Sequence, residues 1–365
     1  MRRRVTIMGG GNGALTAAAE LSITGHDVTL FEMPAFAESV RQLRESGQIS
    51  ATGVIEGTGP LTVTHDASEA VAHAELIIIV VPTNFQINYA ELLLPHLRDG
   101  MNIALMPGSL GSLEFSEYLR SHGCTADITV SEFAALPYAC RIVAPGLVRV
   151  FGRRRYVSLG VFPAQRTDVV SPIANDLYPG IEILDSVLAA GLNNPNPTLH
   201  CLGVLLSASR IEYSRGDFYY YEEGLTPQVC KAVEAIDQER SNIGQALGVE
   251  VLSLRDTYYK MGYGPKGDTF WSVIRGVATL QVIKGPEQID SRYLTEDVPI
   301  GLTIYSQLGS VLGVDTSIMR SVITLAGALL EQDFVANGRT LERCGIAGLS
   351  QDALLEYVHS GAWPG

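Results

Sequence analysis

At 365 residues the chain is long enough for two domains, and 46% hydrophobic content supplies sizeable cores and argues against disorder. A formal net charge of -13 disfavours nucleic acid and anionic membrane surfaces, both of which demand a basic face. Five cysteines (Cys124, Cys140, Cys201, Cys230, Cys344) form no CxxC or Cys/His ligand pattern, which reads as reduced thiols in a cytoplasmic protein without a metal centre.

The basic Met1-Arg-Arg-Arg4 runs into residues 5–8 and then glycines, with no apolar h-region, so no secretory leader is expected. Residues 5–8 read as a strand, 12–24 as a helix ended by Gly25, and 26–32 as a second strand. The β-branched run 76–81 is bounded by Pro82, as in a strand buried on both faces, and is too short to cross a bilayer. Residues 101–106, 156–162 and 181–184 are further strands. Alternating strands and helices of this length predict a parallel, doubly wound sheet. Beyond Asp185 the pattern becomes helical, over 197–213, 227–247, 299–312 and 316–334, with Asn193-Asn-Pro-Asn-Pro197 as the junction. The expected architecture is an α/β Rossmann-type dinucleotide domain over 1–186 and a mostly α-helical second domain over 187–365, with a ligand cleft between them.

Gly9-Gly10-Gly11-Asn12-Gly13-Ala14 fits G-x-G-x-x-A between a strand and a helix. Gly9 permits a tight turn, Gly11 close approach to a pyrophosphate, and Ala14 close helix–strand packing, while the helix N-terminus holds the anion. Glu32 ends the second strand, where a carboxylate hydrogen-bonds ribose hydroxyls and repels a 2′-phosphate. That favours NAD(H), although Arg41, one helical stretch further on, keeps NADP(H) open. Pro82 and Thr83 line the path toward the nicotinamide by position.

Asn196 reads as an N-cap with Pro197 at the first helical position, which puts His200 in the first turn. A helix N-terminus disfavours an imidazolium, and a nearby carboxylate would offset this and fix the tautomer. The other six histidines read as surface or loop positions. Further on, Arg292 and Asp297 stand five residues apart in Asp290-Ser-Arg292-Tyr-Leu-Thr-Glu-Asp297-Val-Pro-Ile-Gly301. Locally, Thr295 or Asp297 could instead cap the following helix, and Arg292 could pair with Glu296 at i+4. Tyr219-Tyr-Tyr-Glu-Glu223 reads as packing or a dimer contact, with no functional assignment.

These segments, with Leu136-Pro-Tyr138-Ala-Cys140-Arg141, Arg210-Ile-Glu212, Gly216-Asp-Phe218, Asp237-Gln-Glu-Arg240 and Gly338-Arg-Thr-Leu341, resemble the opine dehydrogenase family (octopine/nopaline dehydrogenase type) over nearly the whole chain. The resemblance implies NAD(P)H-dependent reductive condensation of an α-keto acid, by default pyruvate, with the amino group of an amino acid. It makes His200 the acid/base group, Asp297 its carboxylate partner and Arg292 the binder of the keto-acid carboxylate. Tyr138, Cys140 and Arg141 face the amine substrate on this reading, or else serve packing and the surface. Two departures stand out: Cys201 follows the histidine where the family usually has proline, and Gln86 stands where a histidine is common. A homodimer is compatible with the helical domain. One rival is a lysine-dependent β-hydroxyacid, ketopantoate or glycerol-3-phosphate type reductase, for which Lys231 is the best-placed lysine. Another is a non-catalytic NAD(H)-responsive regulator.

Overall fold

The computed structural model describes residues 1–364. The chain divides into two compact units: Met1–Gly191 together with the segment from Tyr357 onward, and Leu192–Glu356. The expected boundary at 186/187 therefore moves to 191/192, and the last segment belongs to the first unit. Its side chains explain why: the Tyr357 ring meets Phe162 edge-on at 5.1 Å, and the Trp363 ring lies 4.0 Å from the Arg120 guanidinium.

The first unit carries twelve strands among its described residues: β1 (Arg4–Met8), β2 (Asp27–Phe31), β3 (Gln48–Gly53), β4 (Gly57–Pro60), β5 (Thr62–Thr64), β6 (Leu76–Ile79), β7 (Asn102–Leu105), β8 (Thr129–Phe133), β9 (Tyr138–Ala144), β10 (Leu147–Arg153), β11 (Ser158–Phe162) and β12 (Glu182–Ile183). Eight form one sheet in the order β12-β11-β8-β7-β6-β1-β2-β5, parallel except where β11 meets β8. Alternation along β6 sends Leu76 and Ile78 into the hydrophobic core on one face and Ile77 and Ile79 into the core on the other. The expected doubly wound sheet is therefore present.

A second, four-stranded sheet, β4-β3-β10-β9, was not foreseen. Helix Asn12–Ile23 packs against it and against β1 and β2 of the large sheet. Ala14, Ala17, Ala18 and Ala19 are accordingly all buried, since a helix covered on several sides has little use for a polar face.

The second unit is helical. Its longest helix, Pro227–Leu247, has both ends written in sequence: Thr226 caps the N-terminus through Val229 N–H, Pro227 opens the first turn, and Gly248 closes it at φ 70°. The predicted helix over 197–213 is two, Asn196–Leu206 and Ala208–Ser214, split at Ser207. That over 299–312 begins as a π-helical turn, Val298–Leu302, before Thr303–Val311.

Candidate active site

The glycine loop leaves β1 through Gly9, whose φ of +118° suits glycine alone and whose added Cβ would lie 2.7 Å from the Val80 carbonyl oxygen. Gly10 lies against the Glu32 carboxylate, while a Cβ on Gly11 would meet nothing within 4 Å. Gly11 is the N-cap of helix Asn12–Ile23 in extended conformation. Open space over backbone N–H groups at a helix N-terminus suits a pyrophosphate. Gly11→Ala is expected to change stability by less than about 1 kcal/mol. NADH affinity should fall by about tenfold or more, because the methyl enters that space. Thermal unfolding and fluorescence titration with NADH check the two halves of this expectation.

Glu32 is buried, and its Oε1 accepts from Met33 N–H at 2.7 Å. Burial pushes its carboxyl up from the usual range, only partly offset by that hydrogen bond. Arg41, which had left NADP(H) open, is engaged by Glu38 at 2.9 Å and Glu45 at 3.0 Å. Beyond β6, exposed Pro82 leads into a one-turn helix, Thr83–Phe85, with Thr83 buried. Gln86 is fully buried, and its side-chain N–H donates to the Pro107 carbonyl at 2.7 Å, so it ties the loops after β6 and β7 together.

Asn12 and Cys140 also meet, but as structure. The Asn12 side-chain oxygen accepts from Ile142 N–H at 2.8 Å, and Cys140 Sγ–H donates to the Asn12 carbonyl at 3.4 Å, pinning β9 to the glycine loop. Burial raises the Cys140 thiol and favours its neutral form. The Tyr138 hydroxyl is buried, donates to Glu20 Oε2 at 2.5 Å and lies 3.2 Å from that of Tyr178, contacts that belong to the packing alternative. Arg141 is exposed and donates to the Cys140 carbonyl. Of the three, only the packing alternative has contacts to support it.

In the second unit the helix holding His200 begins at Asn196 rather than after it. Asn194 Oδ1 accepts from Asn196 N–H at 3.1 Å, and His200 is the fifth helical residue. Cys201 therefore lies well inside the helix and leaves its start unaltered. Its thiol donates to the Tyr293 carbonyl at 3.5 Å and is pushed well up by burial. Gly301 lies against Pro197, where an added Cβ would collide with the proline ring, and this close approach brings the Asp297 segment onto the His200 helix. His200 Nδ1–H donates to Asp297 Oδ2 at 2.8 Å across 97 residues of sequence. Both side chains are nearly enclosed, at 10% and 13% exposure. Burial raises the Asp297 carboxyl while the His200 contact pulls it down, so the carboxylate depends on its partner. Asp297 makes no side-chain cap bond, which removes the capping alternative.

Arg292 does not touch this pair through any described hydrogen bond; it is 72% exposed and pairs with Glu296 Oε2 at 3.2 Å, the i+4 alternative. Three tyrosines missed in the sequence surround the imidazole instead. Tyr293 stacks on it at 4.1 Å, Tyr221 Oη lies 3.3 Å from Nε2, and Tyr220 Oη donates to the His200 carbonyl at 3.1 Å. Their signal was the aromatic run itself and the neighbour of Arg292. Among the other histidines, His26 is buried rather than superficial and accepts at Nδ1 from Arg3 N–H. Lys231 is exposed on helix Pro227–Leu247. No helix among the described residues is long and apolar enough to cross a membrane.

Residues 183–330 match the family described as NAD/NADP octopine/nopaline dehydrogenase, alpha-helical domain. Residues 4–108 match NAD-dependent glycerol-3-phosphate dehydrogenase N-terminus, which reaches only the dinucleotide half. An opine dehydrogenase of Arthrobacter sp. (strain 1C) is 33% identical, the match covering 96% of this chain and 98% of that protein. Vitopine synthase of Allorhizobium ampelinum is 29% identical over 98% and 99% of the two chains. In fold, a solved octopine dehydrogenase with NADH and L-arginine superposes with a TM-score of 0.76 at 19% identity, over 97% of this chain and 98% of its own. With its helical unit matched to the octopine/nopaline dehydrogenase family and a relative 33% identical along nearly its whole length, this chain belongs to the opine dehydrogenase family.

Proposed function

We propose that the protein is an opine dehydrogenase, joining an α-keto acid to the amino group of an amino acid and reducing the resulting imine to a secondary-amine dicarboxylate. The observation that carries this reading is the His200–Asp297 pair, 2.8 Å apart and nearly enclosed, in a chain whose other unit offers a dinucleotide cradle. Asp297 takes Nδ1 and fixes the tautomer, so Nε2 is the nitrogen that exchanges protons. His200 would accept a proton as the amine adds to the carbonyl and return one as the carbinolamine oxygen leaves as water. When bound, the nicotinamide supplies hydride to the imine carbon. NADH is the favoured form, supported by the Glu32 carboxylate beside Gly10, where it would repel a 2′-phosphate. A cytoplasmic location belongs to the same reading, supported by five free cysteines.

Arg292 is assigned the keto-acid carboxylate. The Arg292 guanidinium is mostly exposed beside the buried Glu296, which leaves its outer N–H groups free to take a substrate carboxylate in bidentate geometry. Arg292→Ala should raise the keto-acid KM by about 10- to 100-fold with a smaller effect on kcat. Steady-state kinetics with keto acid varied at saturating amine checks this, and an unchanged KM would remove the assignment.

The test of the whole reading is oxidation of NADH with pyruvate, with and without pooled L-amino acids. Dependence on both substrates supports condensation. Turnover with keto acid alone would make the protein a ketone reductase.

A further inference from the structure

Among the described residues, π-helical turns occur at Tyr220–Gly224 and Val298–Leu302, and both lie beside groups that hold His200. Such turns are uncommon and concentrate at functional positions. The first contains both Tyr220 and Tyr221, whose side chains reach His200 at different atoms. Asp297 occupies Nδ1, and the hydroxyl on the remaining nitrogen is that of Tyr221, on a ring only 5% exposed.

We infer that Tyr221 is a positioning residue for the acid/base step, its hydroxyl turning from donor to acceptor as His200 takes up a proton at Nε2. The inference rests on the assignment of His200 as the acid/base group. In the neutral ring, Nδ1–H points to Asp297 and Nε2 accepts from the Tyr221 hydroxyl. For a substrate proton to reach Nε2, the hydroxyl hydrogen must first leave that nitrogen's single lone pair and turn toward Tyr293, with which the Tyr221 side chain also shares a hydrogen bond, so that the phenol oxygen then accepts from Nε2–H. A tyrosine hydroxyl can do this, since it both donates and accepts. The reversed bond is charge-assisted and stronger than the neutral one, so Tyr221 favours the imidazolium in a place with little water.

The surroundings make this hydroxyl suited to the task. Burial pushes the Tyr221 phenol well above its ordinary range, so it stays neutral and keeps its hydrogen. The ionisable groups around the pair are Asp297, Cys201, Tyr220, Tyr258 and Tyr293, with Glu296 and Arg292 beyond Asp297. Burial keeps Cys201, Tyr220 and Tyr221 protonated, so none of these three competes as a base near neutrality.

The experiment compares Tyr221→Phe with Tyr220→Phe, which loses a hydroxyl bound only to the His200 backbone carbonyl in the described contacts. For each, kcat and KM are measured against pH, and the His200 imidazole is titrated by nitrogen-15 NMR. Tyr221→Phe should lower kcat by about tenfold, with both substrate KM values within about threefold. The limb of the pH profile governed by His200 should move down by about 0.5–1 pH unit, and the NMR titration should move with it. Tyr220→Phe should leave both titrations in place. Unchanged titration in Tyr221→Phe, or the same displacement in both variants, would overturn the inference. Absence of amine-dependent turnover in the wild type would instead overturn the functional reading, while the NMR comparison would still decide the role of Tyr221.

Discussion

Replacing His200 with glutamine is expected to lower kcat by about 10²–10⁴-fold, the range typical of a lost general acid/base group. The expectation comes from two features of its placement. Its Nδ1 is held by Asp297 at 2.8 Å, and its ring is stacked on Tyr293 at 4.1 Å, so orientation is fixed before substrate arrives. Glutamine preserves bulk and polarity but cannot cycle a proton near neutral pH. NADH affinity should be unchanged, since the glycine loop and Glu32 belong to the other unit. Asp297→Asn should also lower kcat, because an amide can present its N–H to the ring and stabilise the wrong tautomer. Steady-state kinetics together with NADH titration checks both variants. A loss below about fivefold in His200→Gln would mean that another group moves the protons.

Arg240→Leu is expected to cost about 3–5 kcal/mol, the usual penalty for removing one partner of a buried ion pair. Arg240 lies on the inward stripe of helix Pro227–Leu247 and is fully buried. Its guanidinium meets Asp237 and donates to the carbonyls of Leu192 and Leu252, the latter at 2.6 Å. Leucine would abandon both carbonyls and leave the Asp237 carboxylate with Leu254 N–H, at 2.8 Å, as its remaining described partner. For a unit of this size the loss corresponds to a fall in Tm of about 6–20 °C. The double variant Arg240→Leu/Asp237→Leu should recover part of it, since the uncompensated charge goes too. Urea unfolding of the three proteins measures this directly, and a single-variant loss under about 1 kcal/mol would contradict the account.

What was readable in the sequence followed from how local each signal was. The ends of helix Pro227–Leu247 were found because Thr226, Pro227 and Gly248 act on their immediate neighbours. Strand β6 was found because four consecutive β-branched or leucine residues suit a strand covered on both faces. The small sheet escaped because Gln48–Gly53 and Gly57–Pro60 are half-exposed and rich in glycine, and because β3 joins β10 from almost a hundred residues away. At the site, the residue types of His200 and Asp297 suggested their chemistry, but their pairing came from family resemblance, since nothing local links positions 97 apart. Tyr221 was passed over because a run of tyrosines ordinarily means packing, and a π-helical turn has no simple sequence mark. Tyr138 stayed between substrate and packing for the opposite reason: a polar tip on a strand residue does not say which face it serves.

The return of the chain to the first unit at Tyr357 bears on the order in which the protein is made. Residues 192–356 are contiguous, so the helical unit can collapse as soon as it leaves the ribosome. The two hydrophobic cores of the first unit lie wholly before that insertion, but Phe162 and Arg120 receive Tyr357 and Trp363 only after it has been synthesised. The unit that carries the glycine loop is thus built from two separate stretches of chain, the later of them translated after the proposed acid/base residues are already in place.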